Sequence, residues 1–202
     1  MRHMPPALLL IIAAVMPGWA LAAAVTNKTS TYTVEILVFT TKLPQLEGDE
    51  LWTFDPKQIA VPQVNAAQPA NMNTSAGIFA AAAADLEKDG RFRVLAHQRW
   101  IQTMEAKSAS LPVRIRAANP KSPEELDGTL RIYLSRYLHM DINLVYQEEM
   151  REGGFMGVTA ANPGKIAYRI NEQRRIKGQE THYIDHPKFG ALLRLTPVKG
   201  AR

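Results

Sequence analysis

LRIYLSRYLHMDINLVY, residues 130–146, alternates more regularly than any other part of the chain. Leu130, Ile132, Leu134, Leu138, Met140, Ile142, Leu144 and Tyr146 share one period-2 face, with Arg136 as its single polar interruption. The opposite face reads Arg131, Tyr133, Ser135, Tyr137, His139, Asp141, Asn143. Successive side chains of a strand point to opposite sides, so this pattern predicts extended chain with one face in a core and the other polar. The run is longer than a usual strand, and a bend or bulge is expected near Arg136.

Working outward, the flanks are also strand-rich. Tyr32 to Phe39 alternates with apolar residues on both faces, which predicts a central strand. Segment 40–73 is rich in Pro, Gln, Asn and Asp and reads as a long loop anchored by Trp52 and Phe54. Thr74 or Ser75 would cap an alanine-rich helix with Ile78, Ala82 and Leu86 at helical spacing, stopped by Gly90. Residues 91–102 form a strand expected to place Phe92, Val94, Ala96 and Trp100 on one face and Arg91, Arg93, His97 and Arg99 on the other. Segment 103–128 is a polar connector with a short strand at 113–116, and a division into two lobes would fall there. After Gly153, Gly154 and Gly157 come strands at 166–177, 179–184 and 189–197, with a sharp turn at Asp185, His186 and Pro187. This order predicts an α+β fold: a twisted, mostly antiparallel sheet with one or a few helices on one face and solvent on the other.

The chain has 202 residues, no cysteine and a formal charge of +5, with a pI near 9.5. Without cysteine there is no disulfide framework, iron–sulfur cluster, thiolate nucleophile or acylated cysteine. Arg2 and His3 precede an apolar run from Leu8 to Val15, then Pro17, Gly18 and small residues from Ala20 to Ala24. Residues 1–24 therefore read as a cleaved signal peptide, too short in its apolar part to remain as a membrane anchor. The mature chain, 25–202, is expected in a bacterial periplasm. There the basic charge would meet cell wall and membrane surfaces, not nucleic acid.

Chemistry-bearing residues are few. Glu180, His182, Asp185 and His186, with His139 and Asp141, could in principle hold a metal. The strand-and-turn context and the lack of a His-Glu-x-x-His pattern favour hydrogen-bonding roles instead, so no metal, cofactor or catalytic residue is assigned. No Gly-x-Ser-x-Gly elbow or phosphate loop is present. Glu124 with Glu125, and Glu148 with Glu149, read as solvated edges. What stands out is a basic face: Arg91, Arg93, Arg99, Arg131, Arg169, Arg175 and Lys177, interleaved with Tyr133 and Tyr137. It is either an outer face whose charges discourage aggregation or a surface for an anionic, sugar-bearing polymer. On the second reading arginine forks hold carboxylates and tyrosine rings stack on pyranoses. Arg93, Arg99, Arg131, Tyr133, Tyr137 and Arg175 are the candidate ligand-binding residues.

The chain resembles the CsiV family of exported peptidoglycan-binding proteins. The resemblance is carried by Leu130 to His139, ending in Arg136-Tyr137-Leu138-His139, and by Arg174, Arg175, Glu180, His182, Tyr183, Asp185, His186, Pro187, Phe189 and Gly190. It implies a non-enzymatic periplasmic protein that binds peptidoglycan and supports cell-wall synthesis, with a penicillin-binding synthase or its activator as a further partner. Arg136, His139 and the Glu180-to-Pro187 motif are expected to be structural, the turn holding the C-terminal hairpin in shape. Two other classes stay open: a metal-dependent wall amidase or peptidase using His139, His182 and His186, and a protein–protein adaptor.

Overall fold

A computed structural model describes residues 30–41, 65–73, 77–118, 124–149 and 165–198. The expected signal peptide, Trp52, Phe54, Thr74, Ser75 and the glycines at 153–157 lie outside the described residues. The strands are β1 (Thr31–Thr41), β2 (Phe92–Thr103), β3 (Val113–Ala118), β4 (Glu125–Leu134), β5 (Leu138–Glu149), β6 (Lys165–Arg175), β7 (Thr181–Ile184) and β8 (Phe189–Pro197). Among the described residues one helix, α1 (Ala80–Asp89), precedes β2 and ends at Gly90, whose φ of 73° is the left-handed conformation that glycine adopts without steric cost.

The stretch 130–146 is not one bent strand. It reverses at Ser135, Arg136 and Tyr137 into the arms of the β4–β5 hairpin, with Leu130 opposite Ile142, Ile132 opposite Met140 and Leu134 opposite Leu138. Cross-strand partners share a face, and the odd number of connecting residues carries the alternation through the reversal. The apolar face read from the sequence is thus real, while the connectivity inside it differs from the expected bend.

Nor do the strands form one sheet. Two four-stranded sheets are present, ordered β2-β1-β8-β7 and β3-β4-β5-β6, and every pair of strands is antiparallel. A single core takes Val34, Ile36, Trp100, Leu193 and Leu195 from the first sheet and Ile115, Ile132, Met140, Ile142 and Leu144 from the second. The reason is coverage. Each strand carries an apolar face, and a helix with no buried residue among its own ten cannot cover it, so the second sheet does. Side chains of β2 stitch the sheets together: the Gln102 amide donates to the Ile132 carbonyl at 3.0 Å and the Gln98 amide to the Arg116 carbonyl at 3.3 Å.

A second correction concerns β2. Val38 pairs with Ala96 but Phe39 pairs with Val94, so Leu95 is an extra residue and the alternation inverts there. Phe92 consequently meets Phe39 edge-on at 5.9 Å, and Arg93 stands opposite the buried Thr40. Arg93 and Arg99 therefore lie on opposite faces of β2, not on one. Segment 65–73, expected as loop, lies along the edges of both sheets: Ala67 bridges to Val113 and Asn73 to Arg99.

Candidate functional site

The outward face of the second sheet is built from the alternate residues of β4, β5 and β6 that the core does not use. Two rows cross it. Tyr133, His139 and Arg175 stand side by side on three strands, and Arg131, Asp141 and Gln173 form the next row. Tyr133 stacks on His139 with ring centroids 5.3 Å apart, and Lys107 from the β2–β3 connector places its ammonium 5.0 Å from the Tyr133 ring centre. The same ammonium pairs with Asp141 at 2.9 Å, and that hydrogen bond raises the Lys107 pKa. At the hairpin tip Tyr137, 41% exposed, lies under the Arg175 guanidinium at 3.5 Å, with Arg136 at 5.7 Å from the same ring centre.

Ion pairing separates the arginines of this fold. Arg114 pairs with Asp127, Arg116 with Glu125, Arg93 with Glu124 and Arg174 with Glu172. Arg131, Arg136 and Arg175 have no carboxylate partner within ion-pair distance among the described residues; Arg136 and Arg175 meet at Tyr137 in the β4–β5 turn, and Arg131 lies nearby on β4. Of the six expected ligand-binding residues, the structure brings Arg131, Tyr133, Tyr137 and Arg175 to one face. Arg93 points the other way from β2 toward Glu124, and Arg99 lies on the first sheet beside Asn73, so these two do not join the group. Sequence reading missed Lys107, which comes from an irregular connector without a periodic signal. Arg136, expected to be structural, places its guanidinium at the turn, 5.7 Å from the Tyr137 ring centre.

The C-terminal motif makes its own local network. His182 Nε2 lies 2.9 Å from the Lys177 carbonyl oxygen, and Lys177 pairs with Glu180 at 3.3 Å. Tyr183 donates to Asp185 at 2.6 Å; burial and this bond push its phenol up to about 12. His186 accepts the Lys188 amide at Nδ1 and packs against Phe189, and burial lowers its pKa. The Lys188 carbonyl in turn receives the Thr41 amide and the Thr40 hydroxyl, both at 3.0 Å, which fixes the turn after Pro187 to the end of β1. Glu148, expected at a solvated edge, instead accepts the Tyr168 hydroxyl and pairs with Lys188 at 2.7 Å. His139, His182 and His186 have separate partners, and among the described residues no three His, Asp or Glu side chains are grouped to hold a metal.

One buried polar group went unread in the sequence. Glu35, on the face of β1 away from the core, accepts the Ile78 and Phe79 amides at 2.9 and 2.8 Å and meets His97 Nε2 at 2.8 Å. It anchors the chain as it enters α1, in the place where a Thr74 or Ser75 cap was expected. Gly77 permits this, because a Cβ there would collide with the Glu35 carboxylate.

No curated protein and no solved structure matches the chain. A family model described as "Peptidoglycan-binding protein, CsiV" matches residues 6–198. With nearly its whole length matched, and with the hairpin and C-terminal motif in place as described, the chain belongs to the CsiV family of peptidoglycan-binding proteins.

Proposed function

We propose that the protein is exported to the periplasm, binds peptidoglycan through the outward face of the β3–β6 sheet, and supports wall synthesis as a non-enzymatic accessory of a penicillin-binding synthase or its activator. One observation carries the choice of face: the Arg136 and Arg175 guanidinia meet at Tyr137 in the β4–β5 turn without carboxylate partners, and Arg131 stands on β4 of the same sheet, likewise without one, while the other arginines of that sheet are largely neutralised in place. Unpaired, exposed arginines are the groups free to form charge-assisted, bidentate hydrogen bonds with an anionic polymer. The family description supports the ligand, and the short apolar run before Ala24 supports export.

Co-sedimentation of the purified protein with sacculi through a salt series tests the binding. Exposed charges are screened over about 8 Å at physiological ionic strength, so the bound fraction should fall steadily as salt is added. Binding that is indifferent to salt would place recognition on apolar contacts elsewhere. Cell fractionation with N-terminal sequencing tests export: a soluble periplasmic chain beginning near Ala24 is expected, and an intact Met1 chain in the membrane fraction would contradict it.

A further inference from the structure

We infer that this face reads the free carboxylates of the peptidoglycan stem peptide and not its sugar rings, an inference that rests on the peptidoglycan-binding reading above. Stacking on a pyranose needs an open aromatic face. Neither tyrosine offers one freely. Tyr133 is buried, with His139 stacked against its ring and the Lys107 ammonium over it. Tyr137 is exposed, but Arg175 lies 3.5 Å from its ring centre, a contact close enough to occupy that face. The rings therefore hold cations in position instead of receiving sugar, and what they present outward is positive charge.

The ligand chemistry follows from where peptidoglycan carries negative charge. In the intact polymer the lactyl carboxyl of the glycan is consumed in the amide bond to the stem peptide, so the free carboxylates belong to the peptide. Arg131 and Arg175 stand on β4 and β6, two strands and one row apart, so strand spacing and rise set their Cα atoms about 12 Å from each other. Long side chains converging from that separation suit a ligand with more than one carboxylate, and Arg136 at the turn adds a third fork. A peptide freed of its glycan keeps these groups. A glycan stripped of its peptide instead exposes the lactyl carboxylate, a different source of the same chemistry.

Competition against sacculus co-sedimentation tests the inference, with four soluble probes: the stem tetrapeptide, the same peptide with its carboxylates amidated, peptide-free glycan strands, and neutral chitotetraose. The tetrapeptide should compete, its amidated form should compete about tenfold or more weakly because charge-assisted bonds are lost, and chitotetraose should not compete. Arg175→Gln separates the alternatives further, since it removes a guanidinium and uncovers the Tyr137 ring. It should weaken tetrapeptide competition by up to about fivefold, as should Arg131→Gln, with melting temperatures near that of the parent. Competition by chitotetraose, or sugar binding retained or improved in Arg175→Gln, would overturn the inference in favour of stacking. Peptide-free strands competing as well as the tetrapeptide would overturn it in favour of the lactyl carboxylate. Failure of the parent protein to pellet with sacculi at all would instead remove the binding reading itself.

Discussion

The Glu35 carboxylate sits with only 3% of its side chain exposed and holds two backbone amides and one imidazole. Burial alone would push its pKa up, but the bonds from His97, Phe79 and Ile78 outweigh that and the net shift is downward from 4.5. A carboxyl depressed in the folded state contributes stability that is complete above its unfolded pKa and is lost as pH falls through the folded value. His186 works in the same sense: burial lowers its pKa from 6.5, so the unfolded chain takes up the proton first and stability declines as pH drops below about 6.5. The melting temperature should therefore hold near neutrality, begin to fall below pH 6.5 and fall more steeply below 4.5. Replacing His186 by Asn should flatten the first limb; a parent melting temperature that rises between pH 7 and 5.5 would contradict the His186 assignment. Replacing Glu35 by Ala strands two amides and His97 and should cost about 3 kcal/mol, read by urea denaturation. A glutamate within an apolar alternation signalled that something polar waited on that face of β1. Nothing local could say that the partners were 43 and 62 residues away in sequence.

The hairpin and the bulge show how far alternation carries and where it stops. Period-2 patterning marked seven extended stretches, one of which holds both β4 and β5, because each strand has a buried face and a wrong register would expose it. It could not distinguish one long strand from two antiparallel arms, since a three-residue reversal leaves every residue on the side it would have had anyway. Nor could it register the bulge at Leu95, which inverts half of β2 and sends Arg93 away from Arg99. That inversion, together with the place of β2 in the other sheet, is why the candidate face read as a seven-residue basic stripe resolves into a smaller cluster. Gly128 supplies a test of the β4–β5 pairing. Its Cα faces Asn143 and Leu144 so closely that a Cβ would collide with the Asn143 carbonyl oxygen, an atom fixed by its own strand. Gly128→Ala should thus destabilise by about 3 kcal/mol, visible as a lowered denaturation midpoint. A neutral effect would mean that β4 and β5 are not in the described register.

Taken together, two sheets closed on one core leave two outer faces of different character. The first sheet's outer side is occupied by the buried Glu35–His97 pair and by apolar residues such as Phe39, Phe92 and Leu192, which with α1 line a depression of about 360 Å³. The second sheet's outer side is mostly polar, with Val145 and Ala167 as apolar members, and the arginines without carboxylate partners lie toward the β4–β5 turn. Composition alone gave the excess of positive charge but not its location, because location depends on which arginines find carboxylates across strands. Sacculus co-sedimentation at low salt, comparing the parent with Arg131, Arg136 and Arg175 changed together to Gln and with Arg93 and Arg99 changed together to Gln, tests the assignment of the face directly. Single exposed charges contribute about 0–1 kcal/mol each, so the triple change is needed for a clear effect. The triple variant should lose most of its binding while remaining folded by circular dichroism, and the double variant should pellet as the parent does. Equal binding by the triple variant and the parent, or loss confined to the double variant, would contradict the account.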